Sequence, residues 1–96
     1  MKLPFGRYRV EGESMTPALS PGERVFVRHW VREPREGDLV VVRDPRWPGR
    51  LLLKRIVRRA SEGWIVQGDN PEASTDSRHF GAVSRELIVG KVWFRY

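Results

Sequence analysis

Apolar and polar residues alternate along most of this chain in short stretches with a period of two. Arg7-Tyr8-Arg9-Val10 alternates, Arg24 to Val31 alternates more clearly, and Asp38 to Arg43 is a compact β-branched run. With Leu51 to Arg58, Gly63 to Gln67 and Leu87 to Tyr96, these stretches are the expected strands, and Gly90 marks an expected bulge in the last of them. Turn signals fall between them: Pro21-Gly22, Glu36-Gly37-Asp38, Asp44-Pro45 with Pro48-Gly49, Glu62-Gly63, and a long polar stretch from Gly68 to Gly81. No segment holds a helical period over three turns. Thr16-Pro17-Ala18-Leu19 is expected to form one helical turn, because proline fits the first turn of a helix. The expected fold is all-β, a small coiled or partly closed antiparallel sheet with no long helix, forming one domain over residues 1–96 without repeats or a linker.

A chain of 96 residues buries roughly 60–65% of its unfolded surface, enough for one modest core, so an active site here would be a surface groove. The absence of cysteine excludes disulfides, thiolate catalysis and cysteine-ligated zinc, and His29 and His79 are too few for a metal site. No metal or organic cofactor is expected. No apolar run approaches the ~18 residues of a membrane span. The expectation is therefore a soluble, cytoplasmic protein for which membrane contact is unlikely. The net charge of +6 could attract nucleic acid, headgroups or an acidic partner, but the basic residues are scattered from Arg7 to Arg95, so no nucleic acid is expected.

Charge composition singles out one residue. The chain carries fifteen arginines and three lysines, and Lys54 stands in the apolar run Leu51-Leu52-Leu53-Lys54-Arg55-Ile56-Val57. Arginine stays protonated in proteins, whereas a desolvated lysine can lose its proton and serve as a base. On a strand, Lys54 shares a face with Leu52 and Ile56, while Arg55 points the other way. A serine hydroxyl needs such a base before it can act as a nucleophile, and Ser14 sits in Glu11-Gly12-Glu13-Ser14-Met15-Thr16-Pro17. Taken separately, Ser14 reads as a turn residue and Lys54 as a snorkelling edge residue with its amine in water. Asp76 and His79 invite a triad reading, but His79 beside Phe80 in a turn-rich segment is the weaker candidate for a base.

These segments together resemble the type I signal peptidase superfamily of Ser/Lys proteases. Gly12 to Leu19 is similar to its nucleophile box, Gly37 to Val42 to its strand box, Leu53 to Val57 to its lysine box, and Gly68-Asp69-Asn70 through Ser74 to Arg78 and Gly81 to its terminal box. Within the superfamily, Gly68-Asp69-Asn70-Pro71-Glu72-Ala73-Ser74-Thr75-Asp76-Ser77-Arg78 is most similar to the nickel-type superoxide dismutase maturation proteases. Those enzymes remove a short leader from the dismutase precursor and free its amino-terminal histidine.

The resemblance implies a serine endopeptidase with Ser14 as nucleophile and Lys54 as general base. It implies that Ser74 orients the lysine amine, that Asp76 and Arg78 form an ion pair under the site, and that Gly68, Asp69 and Asn70 shape the turn. The implied partner is a precursor leader bound as an extended strand between Arg7 to Gly12 and Leu51 to Lys54, with a superoxide dismutase precursor as the implied substrate. At the oxyanion hole, Gly12 stands where many relatives carry a hydroxyl residue, which leaves the Ser14 backbone N–H as the expected donor. Glu13 is an oddity beside the nucleophile, since its carboxylate would oppose ionisation there unless it points to solvent. Trp30, Trp47, Trp64 and Trp93, with Phe5 and Phe26, are expected mostly in the core. The alternatives are general signal peptidase-like processing of secreted precursors, an autoprotease domain like that of SOS-response repressors and, outside the enzymes, a basic nucleic-acid-binding β-barrel.

Overall fold

A computed structural model of the chain describes residues 5–29, 32–47 and 49–96. Its strands are β1 (Phe5–Arg9), β2 (Arg24–Arg28), β3 (Leu39–Arg43), β4 (Leu51–Ala60), β5 (Gly63–Gln67) and β6 (Ile88–Arg95). They form one six-stranded sheet in the order β1-β2-β6-β3-β4-β5, with every pairing antiparallel. β1 and β5 are the two edges and do not pair with each other, so the sheet is not closed into a barrel. The all-β expectation without a long helix therefore holds. Among the described residues, helix is confined to α1 (Ser77–Phe80) and to single 3₁₀ turns at Pro71–Ala73 and Arg85–Leu87.

The sheet buries opposite faces at its two ends. Val40, Val42, Ile56, Trp64, Val66, Val83 and Ile88 pack on one face, covered by Phe80 and Leu87 from the chain that follows β5. Val10, Met15, Leu19, Val25, Val27 and Val41 pack on the other face, under the turn between β1 and β2. The period of two makes this possible: along β3 the side chains of Val40 and Val42 enter one core and that of Val41 the other. That is why β3 reads as an unbroken apolar run, being covered on both faces and paired on both edges.

Two register shifts bend β6. Val41 faces Gly90 while Val42 faces Ile88, which leaves Val89 as the extra residue beside the bulge expected at Gly90. A second shift leaves Trp93 extra between Val92 and Phe94. The turn after Ser14 is closed by one bond of helical spacing, from the Leu19 N–H to the Met15 carbonyl at 2.9 Å, but the Thr16–Pro17 peptide within it is cis, so it is not the expected turn of regular helix. The core expectation for the tryptophans holds for Trp64 alone among the described ones. Trp47 and Trp93 are exposed, and Trp30, with the Val31 end of the strand expected to follow Phe26, lies outside the described residues.

Candidate active site

Lys54 lies at a change of partner along β4. Leu51 to Arg55 pair with β3, but β5 joins only from Arg55, opposite Gln67. The stretch before Arg55 thus has a free backbone edge on the β5 side, and a groove of about 310 Å3 runs along it between Gly12 to Met15 and Arg50 to Lys54. Ser14 sits half-buried in the turn on the opposite wall, while Lys54 is only 3% exposed. The groove continues outward into a cavity of about 260 Å3 between Tyr8 to Glu11 and Leu51 to Leu53.

Burial holds the Lys54 ammonium below the ordinary lysine value; the Asp76 carboxylate opposes this, and the positive charges of Arg50 and Arg78 reinforce it. Lys54 Nζ donates to Ser74 Oγ at 3.1 Å, and Ser74 Oγ donates its own hydrogen to Asp76 Oδ2 at 2.6 Å. The single hydroxyl hydrogen of Ser74 is thereby committed, so Ser74 can only accept from the amine. The lone pair of a neutral Lys54 would not be used in this bond.

Asp76 is fully buried and densely bonded. Its carboxylate accepts from the Gly68 N–H at 2.8 Å, from the Arg78 N–H at 3.1 Å, and from the Arg78 guanidinium at 3.0 and 2.6 Å. Burial alone would raise its pKa, but the bonds from Arg78 and Ser74 and from the two backbone N–H groups outweigh it and hold the carboxyl well below the usual range. The same residue caps α1, and His79 Nδ1 accepts from the Asp76 N–H at 3.2 Å to close the capping box. His79 is thus a capping residue, and the triad suggested by Asp76 and His79 is not formed.

Two glycines shape the site, one by close approach and one by its backbone angle. A side chain at Gly68 would meet Ser74 Oγ and the Ser14 carbonyl oxygen, the latter at 2.6 Å, so this position brings β5, the nucleophile turn and the terminal loop together. Gly12 has φ of 75°, in the left-handed region, and no atom lies within 4 Å of where a Cβ would stand. Glycine is there for its backbone rather than for lack of room. Neither the N–H nor the Oγ of Ser14 makes a hydrogen bond among the described residues, which leaves both open to the groove. Glu13 is exposed.

Asn70 does more than shape a turn. Its N–H bonds the Ser14 carbonyl at 2.8 Å, and its side-chain amide bonds the Glu13 carbonyl and Thr16 Oγ1, each at 3.1 Å. The terminal loop therefore clamps the nucleophile turn. Asp69 holds the loop to β4 through two bonds of 2.9 Å with Arg55, whose guanidinium also reaches the Gly37 carbonyl. The clustering of residues 68–70 in one polar stretch marked a structured loop, but no local pattern disclosed Glu13, Thr16 and Arg55 as its partners, because those contacts are long-range.

The family profile described as "Signal peptidase, peptidase S26" matches residues 1–62 and 60–96. The chain belongs to this signal peptidase family. It is 38% identical to the mitochondrial ATP-independent inner membrane protease subunit 1a of Arabidopsis thaliana, over 90% of this chain and 67% of that protein. It is 35% identical to mitochondrial inner membrane protease subunit 2 of Schizosaccharomyces pombe, over 86% of this chain and 59% of that protein. It is also 34% identical to Repressor protein C of Rhizobium phage 16-3, over 88% of this chain and 35% of the repressor. The chain thus spans from about a third to two thirds of the length of these relatives. Membership supports a signal peptidase-like peptidase. The expectation of a cytoplasmic protein is corrected: the protease relatives are named for the mitochondrial inner membrane. Among the described residues no helix is long and apolar enough to cross a membrane.

Proposed function

We propose that this signal peptidase family member is a serine endopeptidase that removes an amino-terminal leader from a precursor, with Ser14 as nucleophile and Lys54 as general base. The observation that carries this reading is the buried Lys54 amine, held by an accepting Ser74 at the head of the groove that Ser14 also lines. A substrate entering as an extended strand would pair with the free edge of Leu51 to Lys54 and fill the groove against Val10 and Glu11. This pairing would hold the scissile carbonyl at Ser14, and positioning of this kind removes much of the entropic cost of the attack.

Neutral Lys54 takes the proton of Ser14 Oγ as the oxygen adds to the carbonyl carbon. The Ser14 N–H donates to the oxygen as it becomes negative. The C–N bond then breaks, and the lysine ammonium gives its proton to the departing amine. Water attacks the acyl-enzyme with Lys54 again as base, and the proton returns to Ser14 Oγ as the acid product leaves. Ser74, Asp76 and Arg78 act through the lysine, fixing its position and the direction of its hydrogen bond.

The substrate suggested by the 68–78 segment is a nickel superoxide dismutase precursor. A second reading, processing of precursors at a membrane, is favoured by the inner-membrane names of the relatives. Incubation with the dismutase precursor, read by intact mass, separates the two. Loss of the leader with wild type and its retention with Ser14→Ala supports the first reading. An untouched dismutase precursor, with cleavage of a membrane-inserted one, supports the second, and cleavage by Ser14→Ala overturns the nucleophile assignment.

A further inference from the structure

Arg50 stands at the entrance of β4, one residue before Leu51. The Asp44 N–H bonds its carbonyl at 2.8 Å, which carries the β3–β4 ladder one step past the Arg43–Leu51 pair and sets Arg50 opposite Asp44. Opposite charges facing each other across an antiparallel pair ordinarily attract. Asp44, however, is already committed. It is fully buried and accepts from the Arg46 backbone N–H at 2.8 Å and from the Arg46 guanidinium at 3.1 and 2.9 Å. Arg46 in turn lies over the rings of Trp47 and Phe80, at 4.6 and 5.4 Å from their centroids.

The other arginines around the site are engaged as well, Arg78 with Asp76 and Arg55 with Asp69. Arg50 is exposed, lines the groove and takes part in no ion pair among the described residues. Glu11 and Glu13, also exposed, stand on the opposite wall, and no ion pair joins them to Arg50. Alternation along β4 fixes what Arg50 can reach. Leu52 packs against the core of Val42 and Ile56, and Leu53 against that of Val25 and Val41. Arg50 and Lys54 therefore share a face with Leu52, while Leu51 shares the other with Leu53.

We propose, resting on the peptidase reading of the groove, that Arg50 selects leaders with an acidic side chain at alternate positions, on the face of the bound strand that Arg50 shares with Lys54. Beyond Lys54 the edge is taken, because Arg55 pairs with Gln67, so the bound leader runs from the scissile bond toward Arg50. Its side chains alternate between the apolar cavity beside Leu51 and Leu53 and the Arg50 face. Lys54 and Arg50 are four residues apart, which is roughly 13 Å along a strand, and a long side chain also reaches its diagonal neighbour. The acid is thus expected within about four residues of the cut bond. A carboxylate there fits the fork of the guanidinium, whereas a lysine would meet it with like charge.

The test uses two fluorescent peptide pools, randomised at every second position and carrying glutamate in one pool and lysine in the other at the positions between. Binding to the Ser14→Ala protein is read by anisotropy, so no cleavage is needed. The glutamate pool is expected to bind about five-fold tighter, the upper end for a partly exposed ion pair, with a margin that shrinks as salt rises. Arg50→Gln is expected to remove the margin and Arg50→Glu to reverse it, the glutamine variant carrying the test if the other does not fold by circular dichroism. Arg58→Gln, which removes the same charge from an exposed position farther along β4, is expected to keep it. In a second arm the wild type cuts a fully randomised pool, and the products, sequenced by mass, are expected to be enriched in acids at alternate positions before the cut bond. A glutamate margin without any cleavage would sink the peptidase reading and leave this selection standing. Equal binding of the pools, binding of neither, a margin that survives Arg50→Gln or falls equally with Arg58→Gln, or acids enriched only after the cut bond or at consecutive positions would each overturn the inference.

Discussion

Lys54 Nζ and Ser74 Oγ lie 3.1 Å apart, and the hydrogen bond between them runs in one direction only, because the Ser74 hydrogen is spent on Asp76. A neutral amine held in this way keeps its lone pair for a proton arriving from the groove.

The pH behaviour of Lys54 follows from its lowered pKa, caused first by burial. Its folded value lies below its unfolded one, so the folded chain binds fewer protons between the two values. Burying Lys54 therefore costs stability at low and neutral pH, and the cost fades as pH rises toward the ordinary lysine value of 10.5. Lys54→Met is expected to abolish cleavage yet raise the melting temperature at neutral pH, with the gain shrinking at alkaline pH in parallel melts. Lys54→Arg, which keeps the charge and cannot lose it, is expected to be inactive at every pH. An active arginine variant would show that no neutral amine is needed.

Ser74→Ala removes the acceptor that orients the amine and one donor to the buried Asp76 carboxylate. A stability loss of about 1–3 kcal/mol is expected from the unmade bonds, read in urea melts. Cleavage is expected to fall by part of the ~10²–10⁴-fold that a positioned base supplies. Retention of the full wild-type rate with a measured stability loss would leave Ser74 a structural role alone.

Asp76 titrates in the opposite sense from Lys54. Its folded pKa is depressed, so the stability it contributes is present above the unfolded value of 3.8 and is lost as pH falls through the lower folded value. Asp76→Asn is expected to cost about 3 kcal/mol at neutral pH, the low end for breaking a buried pair, since Arg78 is partly exposed. The difference from wild type should narrow in acid melts below pH 3.8.

Gly68→Ala tests the close approach directly. Its methyl group would meet the Ser14 carbonyl oxygen and the Ser74 hydroxyl, so one wall of the site must shift. The expected cost is about 1–3 kcal/mol of overpacking, with a loss in kcat/KM, because displacements of about 1 Å near the chemistry cost on the order of 10²-fold. Steady-state kinetics beside a urea melt separates the two effects.

The strands were legible because each carries its own signal: alternation in β2, β-branched residues in β3, and Gly or Pro at the ends. The exception was the turn after Ser14, where Pro17 read as a helix start although the preceding peptide is cis. Lys54 was legible through arginine usage, since fifteen arginines made a lysine in an apolar run conspicuous. The clamp from Asn70 to Glu13 and Thr16 was not, because it joins residues more than fifty positions apart through atoms with no sequence periodicity. The exposure of Trp93 was also hidden. It depends on a register shift, and a one-residue offset decides which face a side chain takes.

β3 has a consequence for how the molecule comes apart. Val40 and Val41 are covalent neighbours that belong to different hydrophobic interiors, so this strand is the party wall of the domain. The two interiors share no side chain; the ladders that β3 makes to β4 and β6 tie one to the other, as do the Asn70 bonds to the nucleophile turn. The groove is assembled from both halves, with Met15 of its Ser14 wall anchored in one interior and Ile56, two residues beyond Lys54, in the other. A fluctuation that opens β3 would leave the Asn70 clamp as the remaining tie between the two walls before either half had unfolded, so the spacing of serine and lysine is the first property such an opening loosens.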